Sequence, residues 1–326
     1  MMNLRGSFIL ILLSTLLLLV LIAALALGSV TIAPSTLIEW ALHPGHSLDA
    51  RLVMELRLPR ALNAIAIGGL LGLAGAILQI LLRNPLADPY ILGVSGGASL
   101  GALTSMLLGL GSLLLSTAAF GGALVSMLLV FLLTLGQRQW SPTRLLLNGV
   151  VMASGWGALI VLLLSLAPAR QLPGMLFWLM GDLGYAGSPW PGLALLVVAL
   201  LIVVPLGRSL DIMLRGSLQA EALGVAVKPL GWLLYVMASL MTAVAVMNAG
   251  SIGFVGLITP HLMRLVIGNR QQVLLPASAL GGALLLLIAD TLGRTLIAPQ
   301  QLSAGVITVL LGVPVFMFML RRDKGL

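Results

Sequence analysis

Apolar segments long enough to cross a lipid bilayer recur along almost the whole sequence. Cutting the chain at proline, glycine and charged residues leaves ten of them, at residues 7–27, 61–82, 92–110, 113–135, 145–167, 191–206, 231–249, 252–268, 273–296 and 303–320. About 20 apolar residues in a helix cross a bilayer, and helices satisfy their own backbone polar groups in lipid. The sequence therefore predicts an all-α integral membrane protein with about ten transmembrane helices, organised as one domain over residues 1–326.

The few charged residues predict how these helices are oriented. Only 8% of the residues are charged, against roughly a quarter in ordinary soluble domains. The basic residues stand one or two at a time between apolar segments, which is typical of topology signals and not of nucleic-acid binding. With the more basic loops inside, both termini are predicted to be cytoplasmic. The arginines left on the outer side are Arg51, Arg57, Arg60, Arg170 and Arg294.

Residues that could carry chemistry are few. The sequence has no cysteine, which excludes disulfides and thiolate metal sites. His43 and His46 lie in a predicted loop that lacks the further ligands of a zinc site, so no metal site is predicted. No G-K-[ST] motif follows a glycine loop, and the chain is therefore not expected to hydrolyse ATP or to be an enzyme.

Ser95 lies in a motif that is typical of serine nucleophiles, because Gly93, Ser95 and Gly97 form G-x-S-x-G. An intramembrane serine protease would need a base beside Ser95, and His261 is the only histidine in a predicted membrane segment. A structural interpretation explains more of the surrounding sequence. The chain would turn at residues 84–89 and then enter a helix face of small residues, where the hydroxyl of Ser95 bonds a carbonyl.

A gradient-driven secondary transporter is a second alternative. Such proteins carry acidic residues or histidines inside the membrane as ion or proton sites, and the candidates here are Asp88 and Asp290. Both lie near predicted helix ends. Asp290 is four residues before Arg294, where an ion pair within one helix is expected. The scarcity of membrane-embedded acids disfavours this mechanism.

Runs of glycine and alanine predict close packing between helices. Examples are AIGGLLGLAGA at residues 66–76 and ALGGA at residues 279–283, because small residues let transmembrane backbones approach each other. A weak internal repeat is also present. Gly75 precedes Pro85 by the same interval as Gly250 precedes Pro260, and the two copies would insert in opposite directions, as in inverted-repeat transporters.

The longest polar interruption on the predicted cytoplasmic side covers residues 207–229. Its apolar residues are too few to span a membrane. It is expected to form one or two short helices at the membrane surface, broken at Gly216 and Gly224. Such a segment is either a connector or a docking surface for a soluble partner.

Six motifs, in this order, resemble the FecCD family, the permease subunits of ATP-driven importers for iron-siderophores, haem and cobalamin. They are RLPRAL at residues 57–62, NPLADPYILGVSGGA at 84–98, RLLLNGV at 144–150, AGSIGFVGLITPHLMR at 249–264, LIAD at 287–290 and GVPVF at 312–316. The resemblance covers almost the whole chain and implies a type II ABC importer bundle in a bacterial inner membrane. It also implies partners: a second copy or a paralogous permease, two ATP-binding subunits that use ATP and Mg, a periplasmic binding protein and a metal-chelate substrate. No nucleic acid, and no cofactor bound by this chain, is expected.

The resemblance also assigns roles to residues of this sequence. The positions that match the arginines docking the binding protein at the outer mouth are Arg57, Arg60 and Arg294. Those that match the cytoplasmic gate are Asn84, Pro85, Leu86, Ser141 and Pro142. Those that match the segment coupling to the ATPase are Leu214, Arg215, Gly216, Ser217, Leu218, Gln219, Ala220, Glu221, Ala222, Leu223, Gly224 and Val225.

Overall fold

The computed structural model describes residues 4–28, 32, 51–134 and 141–322. Within these residues the chain forms thirteen α-helices and no β-strand, so the predicted all-α fold is confirmed. The helices are α1 (Leu4–Ala26), α2 (Leu58–Leu82), α3 (Val94–Leu107), α4 (Ser112–Thr134), α5 (Pro142–Leu166), α6 (Leu172–Leu179), α7 (Trp190–Val203), α8 (Gly207–Met213), α9 (Ser217–Ala222), α10 (Val227–Ala249), α11 (Val255–Ile267), α12 (Gln271–Thr295) and α13 (Ala304–Arg322). A π-helical turn, Leu52–Arg57, leads directly into α2.

Each of the ten predicted apolar segments overlaps one of these helices. Among the described residues, six helical stretches are long and apolar enough to cross a membrane: Arg5–Ala26, Leu52–Leu82, Ser112–Thr134, Pro142–Leu166, Val227–Ala249 and Gln271–Thr295. α7 and α8 form a seventh span if they are counted together, although they meet at an angle of 67°. The three other predicted spans are shorter apolar stretches, Val94–Leu107, Val255–Ile267 and Ala304–Phe318.

α2 and α12 pack closely through the small residues that the sequence singles out. A methyl group at Gly68 would collide with the carbonyl oxygen of Gly282, and one at Gly72 would collide with that of Ser278. Van der Waals packing of this kind is the main attraction between helices in lipid. Because 94% of the apolar window of Leu52–Leu82 is buried, α2 is the central helix of the bundle.

Proline and a capping hydroxyl determine where two of the helices begin. Pro59 and Pro142 lie in the first turns of α2 and α5, where the missing N–H has no partner within the helix anyway. The hydroxyl of Ser141 accepts a hydrogen bond from the N–H of Arg144 at 3.4 Å. Ser141 is therefore the N-cap of α5, as serine at this position usually is.

The loops that precede α3 and α11 meet inside the bundle. The hydroxyl of Tyr90 donates to the carbonyl of Ile252 and accepts from its N–H, both at 2.8 Å. The hydroxyls of Ser95 and Ser251 lie 3.1 Å apart. The predicted topology sends the ends of α2 and α10 to opposite sides of the membrane. The short lengths of α3 and α11 therefore let chain segments from both sides reach each other, as in broken-helix transporters.

The order of helices in the two halves has the form of an inverted repeat, but the repeat does not coincide with the Gly–Pro interval that was identified in the sequence. In each half a long helix, α2 or α10, is followed by a short one entered through a residue with positive φ, Gly93 at 73° and Phe254 at 70°. Gly75, by contrast, lies inside α2, whereas Gly250 caps the end of α10. The repeated Gly–Pro interval therefore joins structurally different positions.

Candidate functional site

Arg60 and Arg294 meet at one buried carboxylate. Nε of Arg60 lies 2.9 Å from one oxygen of Asp290, and Nε of Arg294 lies 3.0 Å from the other. Asp182, in the loop after α6, adds a longer contact of 3.5 Å to Arg60. The ion pair predicted between Asp290 and Arg294 is confirmed. The cluster also joins α2 to α12 through residues that are 230 positions apart.

Two of the arginines predicted to dock a binding protein also reach the end of α1. A guanidinium nitrogen of Arg57 donates to the carbonyls of Leu25 at 2.7 Å and of Ala26 at 3.2 Å. Arg294 donates to the carbonyl of Ala24 at 3.4 Å. The last four carbonyls of a helix have no partner within it, and positive charge is favourable there. Arg57 and Arg294 therefore cap α1 from other parts of the chain.

These contacts determine how much of each arginine reaches the surface. Arg57 is 6% exposed and Arg294 is 8% exposed, whereas the side chain of Arg60 is 17% exposed. A cavity of about 480 Å³ opens beside all three, and Glu55 and Gln301 are among its other lining residues. The structure thus brings the three predicted docking arginines together as a mostly buried cluster at the base of a cavity.

Asp182 is a buried acid that lies outside the membrane-spanning helices. Burial raises the pKa of its carboxyl group above the ordinary value of 3.8, and the charge of Arg60 and the N–H of Gly184 lower it only in part. Burial favours the neutral form of a carboxyl group because it removes water from the charged form. Asp182 is therefore expected to take up a proton at a higher pH than an exposed aspartate does.

The residues predicted to form the cytoplasmic gate lie at two helix ends. α2 ends at Arg83, which has a φ of 48°, and the side chain of Asn84 then accepts the N–H of Leu86 at 2.9 Å. Ser141 and Pro142 start α5. α2 and α5 are in contact, and the predicted topology puts both of these ends on the cytoplasmic side. The gate assignment stays a prediction.

The polar segment at residues 207–229, which includes the predicted coupling residues 214–225, contains the two short helices α8 and α9. Gly216, with a φ of 128°, separates α8 from α9, and Gly224, with a φ of 81°, follows α9. The predicted helix breaks are therefore confirmed. Leu218 is 81% exposed and Leu223 is 62% exposed, while Ala220 between them is fully buried. Large apolar side chains exposed together outside the membrane spans are typical of an interaction surface.

The geometry around Ser95 differs from that of a serine nucleophile. Its hydroxyl bonds the hydroxyl of Ser251, neither the carbonyl that the sequence led us to expect nor the base that a nucleophile requires. The neighbouring glycines serve packing, since a methyl group at Gly97 would collide with the carbonyl of Gly122. His261 is buried within α11.

The sequence predicts no metal site, and the structure describes only some of the residues on which that prediction depends. His43 and His46 lie outside the described residues. Within the described part of the chain, no group of three or more histidine and acidic side chains is placed to hold a metal ion.

Sequence reasoning missed three residues that organise these sites. Asp182 joins the arginine cluster, Tyr90 joins the two internal loops, and Asp211 of α8 accepts the N–H of Gln271 at 3.0 Å. Rarity was the available signal for the two aspartates, since the chain has only nine acidic residues. Rarity does not identify the partners of these aspartates, because each partner lies far from its aspartate in the sequence.

Comparison with a family model agrees with the sequence motifs. The FecCD transport family matches residues 16–322. This range contains the arginine cluster, both helix ends of the predicted gate, the coupling segment and the junction of the internal loops.

Individual relatives match over most of their own length. The vitamin B12 import system permease protein BtuC of Vibrio cholerae serotype O1 is 40% identical over 285 residues, 85% of this chain and 85% of that protein. The hemin transport system permease protein HmuU of Yersinia pestis is 37% identical over 321 residues, 94% and 95% of the two chains. A solved structure described as an inward-facing conformation of a metal-chelate type ABC transporter has a TM-score of 0.83 at 30% identity, covering 97% of this chain and 99% of that one. The chain therefore belongs to the FecCD transport family and is a multi-pass membrane protein.

Proposed function

We propose that this chain is the membrane-spanning permease subunit of a binding-protein-dependent ABC importer in a bacterial inner membrane. Its cargo would be a metal chelate, with cobalamin, haem and iron-siderophores as the candidates. The observation that carries the proposal is the match to a metal-chelate type transporter over 97% of this chain and 99% of the other. A match of this extent includes the coupling segment and the helix ends, and not only the packed core.

The burial of α5 supports assembly with a second permease chain. Only Leu145 and Gly149 of its 25 residues are buried. Its exposed surface carries large apolar residues such as Val151 and Val161, and it also includes Ser154 and Gly155, small residues of the kind that are enriched where transmembrane helices contact each other. A second copy, or a paralogous permease, facing this side would enclose a wide passage lined by small, hydroxyl and apolar groups.

The exposed leucines of the coupling segment support docking to two ATP-binding subunits. Leu218 and Leu223 project from a polar segment on the predicted cytoplasmic side. ATP and Mg would be used by those subunits, and their closure on ATP would displace residues 214–225. The displacement would tilt helices of the bundle so that one gate opens as the other closes, a rigid-body transition between two packed states.

The arginine cluster supports docking of a periplasmic binding protein at the predicted outer mouth. The lining of the cavity includes three arginines and one acidic residue, Glu55, whereas Asp182 and Asp290 are buried and are not among the lining residues. A positive site of this kind attracts acidic groups on a partner and sets the orientation of docking. Arg60 has the most exposed side chain of the three arginines and would make the direct contact.

The main alternative is a gradient-driven transporter, and the surroundings of Asp290 count against it. Such a mechanism requires an acid that is available to an ion or a proton. Both carboxylate oxygens of Asp290 are instead bonded to arginines. We find no arrangement among the described residues that favours this class over an ATP-driven importer.

Uptake measurements in proteoliposomes test the proposal. The permease would be reconstituted with its ATPase and binding protein, with ATP inside the vesicles, and labelled cobalamin, haem and ferric siderophore would be supplied outside in turn. We expect uptake of one cargo that disappears when the phosphate-binding lysine of the ATPase is replaced, and that persists when ionophores collapse all gradients. Uptake that follows a gradient and ignores the ATPase variant would refute the proposal.

A further inference from the structure

We propose that Asp211 transmits movement of the coupling segment to the transmembrane bundle, by acting as the N-terminal cap of α12. The inference rests on the proposed function, since it assumes that an ATPase moves the segment. Asp211 lies in α8, before the residues that match the family's coupling segment. Its role would be that of a positioning residue, which acts through α12 and touches neither cargo nor nucleotide.

The cap is supplied from a distant part of the chain. Oδ1 of Asp211 accepts the N–H of Gln271 at 3.0 Å, over a separation of 60 residues. Arg270, the residue at the N-cap position of α12, has extended backbone and makes no capping hydrogen bond with its own side chain. The first four N–H groups of a helix lack partners within it, and a carboxylate is favourable there. Asp211 thus supplies what the local sequence does not.

Proline makes the start of α12 more dependent on this cap. Pro276 lies inside the helix, within its second turn. A proline at this position removes the hydrogen bond that would otherwise hold the carbonyl of Gln272. The first turn of α12 is therefore joined to the rest of its helix by one hydrogen bond fewer. The contact from Asp211 contributes correspondingly more to its stability.

α8 is packed against the same turn of α12. A methyl group at Gly207 would lie 2.8 Å from the backbone nitrogen of Gln272 and 3.0 Å from its Cα, so the two backbones are almost in contact. Leu210 and Met213 on the same face of α8 are fully buried. α8 is therefore held to the bundle, while the following helix α9 presents its leucines outward. A force applied to α9 can therefore reach the bundle through α8, in addition to the direct route through α10, which follows α9 in the chain and contacts it.

α12 extends from the contact with Asp211 to the opposite side of the helix bundle. Its 25 residues correspond to about 37 Å at 1.5 Å per residue, roughly the thickness of a bilayer with part of its headgroups. Midway it packs against Gly68 of α2 through Gly282. At its far end Asp290 pairs with Arg60. α12 is therefore held by the coupling side at its start and by the arginine cluster at its outer end, so it is suited to link the two sides of the membrane.

Three variants separate capping from charge and from general damage to α8. Asp211→Ala removes both the cap and the charge. Asp211→Asn keeps a side-chain oxygen that can cap, so it should restore function if capping is what matters. Ser209→Ala is the matched control on the same helix, because it removes a hydroxyl that makes no hydrogen bond to any residue that the structure describes.

The assay compares binding-protein-stimulated ATP hydrolysis and cargo uptake with basal hydrolysis in the reconstituted complex. We expect Asp211→Ala to lower stimulated hydrolysis and uptake about five-fold, the factor that corresponds to one lost helix cap, while the ATPase still co-purifies. Asp211→Asn and Ser209→Ala should stay within about two-fold of wild type, since both keep the cap.

A second readout follows the outer end of α12 directly. The chain has no cysteine, so Leu296→Cys would react as a unique thiol at an exposed position beside that end. Its rate of labelling by a membrane-impermeant maleimide should change on addition of ATP. The change should vanish with Asp211→Ala and persist with Asp211→Asn.

The outcomes distinguish this inference from the proposed function. If the wild-type complex shows no ATP-dependent uptake of any cargo, the proposed function is wrong and the inference falls with it. If the wild-type complex transports and Asp211→Ala transports equally well, only the inference is wrong. It is also wrong if Asp211→Asn is as impaired as Asp211→Ala, or if Asp211→Ala no longer retains the ATPase.

Discussion

Replacing Asp290 by asparagine should destabilise the folded protein strongly. Asp290 is 1% exposed, and its two oxygens accept hydrogen bonds from Arg60 at 2.9 Å and Arg294 at 3.0 Å. Asparagine keeps one acceptor oxygen but has no negative charge, and its NH₂ group would face a guanidinium. Two positive charges would then share a site in which only Asp182, at 3.5 Å from Arg60, opposes them.

The magnitude follows from the burial of the partners. Removing one member of a buried ion pair costs about 3–5 kcal/mol, because the remaining charge stays desolvated. We expect the lower end, about 3 kcal/mol, because Arg60 keeps part of its access to water and its contact with Asp182. At about 2–4 °C per kcal/mol, the melting temperature should fall by about 6–12 °C.

Thermal unfolding in detergent, followed by tryptophan fluorescence, measures the change. Glu55→Gln is the control, because Glu55 is an exposed carboxylate on the same side of the molecule, and it should shift the melting temperature by less than about 2 °C. The double variant Asp290→Asn with Arg294→Gln should be less damaged than the sum of its single variants, since the residues are coupled. A melting temperature of Asp290→Asn within about 2 °C of wild type would refute the assignment of a buried ion pair.

Three further predictions concern other parts of the molecule. Gly282→Ala should destabilise by about 1–3 kcal/mol through overpacking, whereas Gly121→Ala, which has open space around it, should stabilise by about 0.5–1 kcal/mol; thermal melting of the matched pair checks this, and equal shifts would contradict it. Because burial raises the pKa of Asp182 above 3.8, its neutral form stabilises the fold at low pH, and this contribution is lost as pH rises through the folded pKa. Asp182→Asn should therefore gain melting temperature relative to wild type as pH is raised from below 3.8, and a difference that does not change with pH would contradict the assigned shift. Arg60→Glu should weaken binding-protein docking and reduce its salt dependence while basal ATP hydrolysis stays intact; equal docking in a surface-binding assay would exclude Arg60 as a docking residue.

The helices were the most predictable part of the structure. Each apolar segment found in the sequence overlaps an observed helix, because a chain in lipid can satisfy its backbone in few other ways. The breaks at Gly216 and Gly224 were predictable for a similar local reason, since a positive φ favours glycine. The pair of Asp290 with Arg294 was predictable because residues four apart share a helix face.

What the sequence could not show was which helices complete each other. The acceptor for Arg57 is the end of α1, and the cap of α12 comes from Asp211, 60 residues away. Neither contact leaves a periodic trace in the sequence, since each depends on where separate helices finish in space. The meeting of Tyr90 with Ile252 is a further example, because it depends on two loops that the predicted topology brings in from opposite sides.

The burial of the outer arginines changes what a loss of docking would mean. Arg57 and Arg294 hold the carbonyls at the end of α1, so reversing the charge of either would set a carboxylate against the negative end of a helix dipole. Such a variant loses α1 packing together with any contact to a partner. Arg60 bonds two carboxylates and no carbonyl of α1 among its recorded contacts. A docking defect is therefore attributable to surface charge only if it appears with Arg60 changed alone, while the melting temperature shows that α1 remains in place.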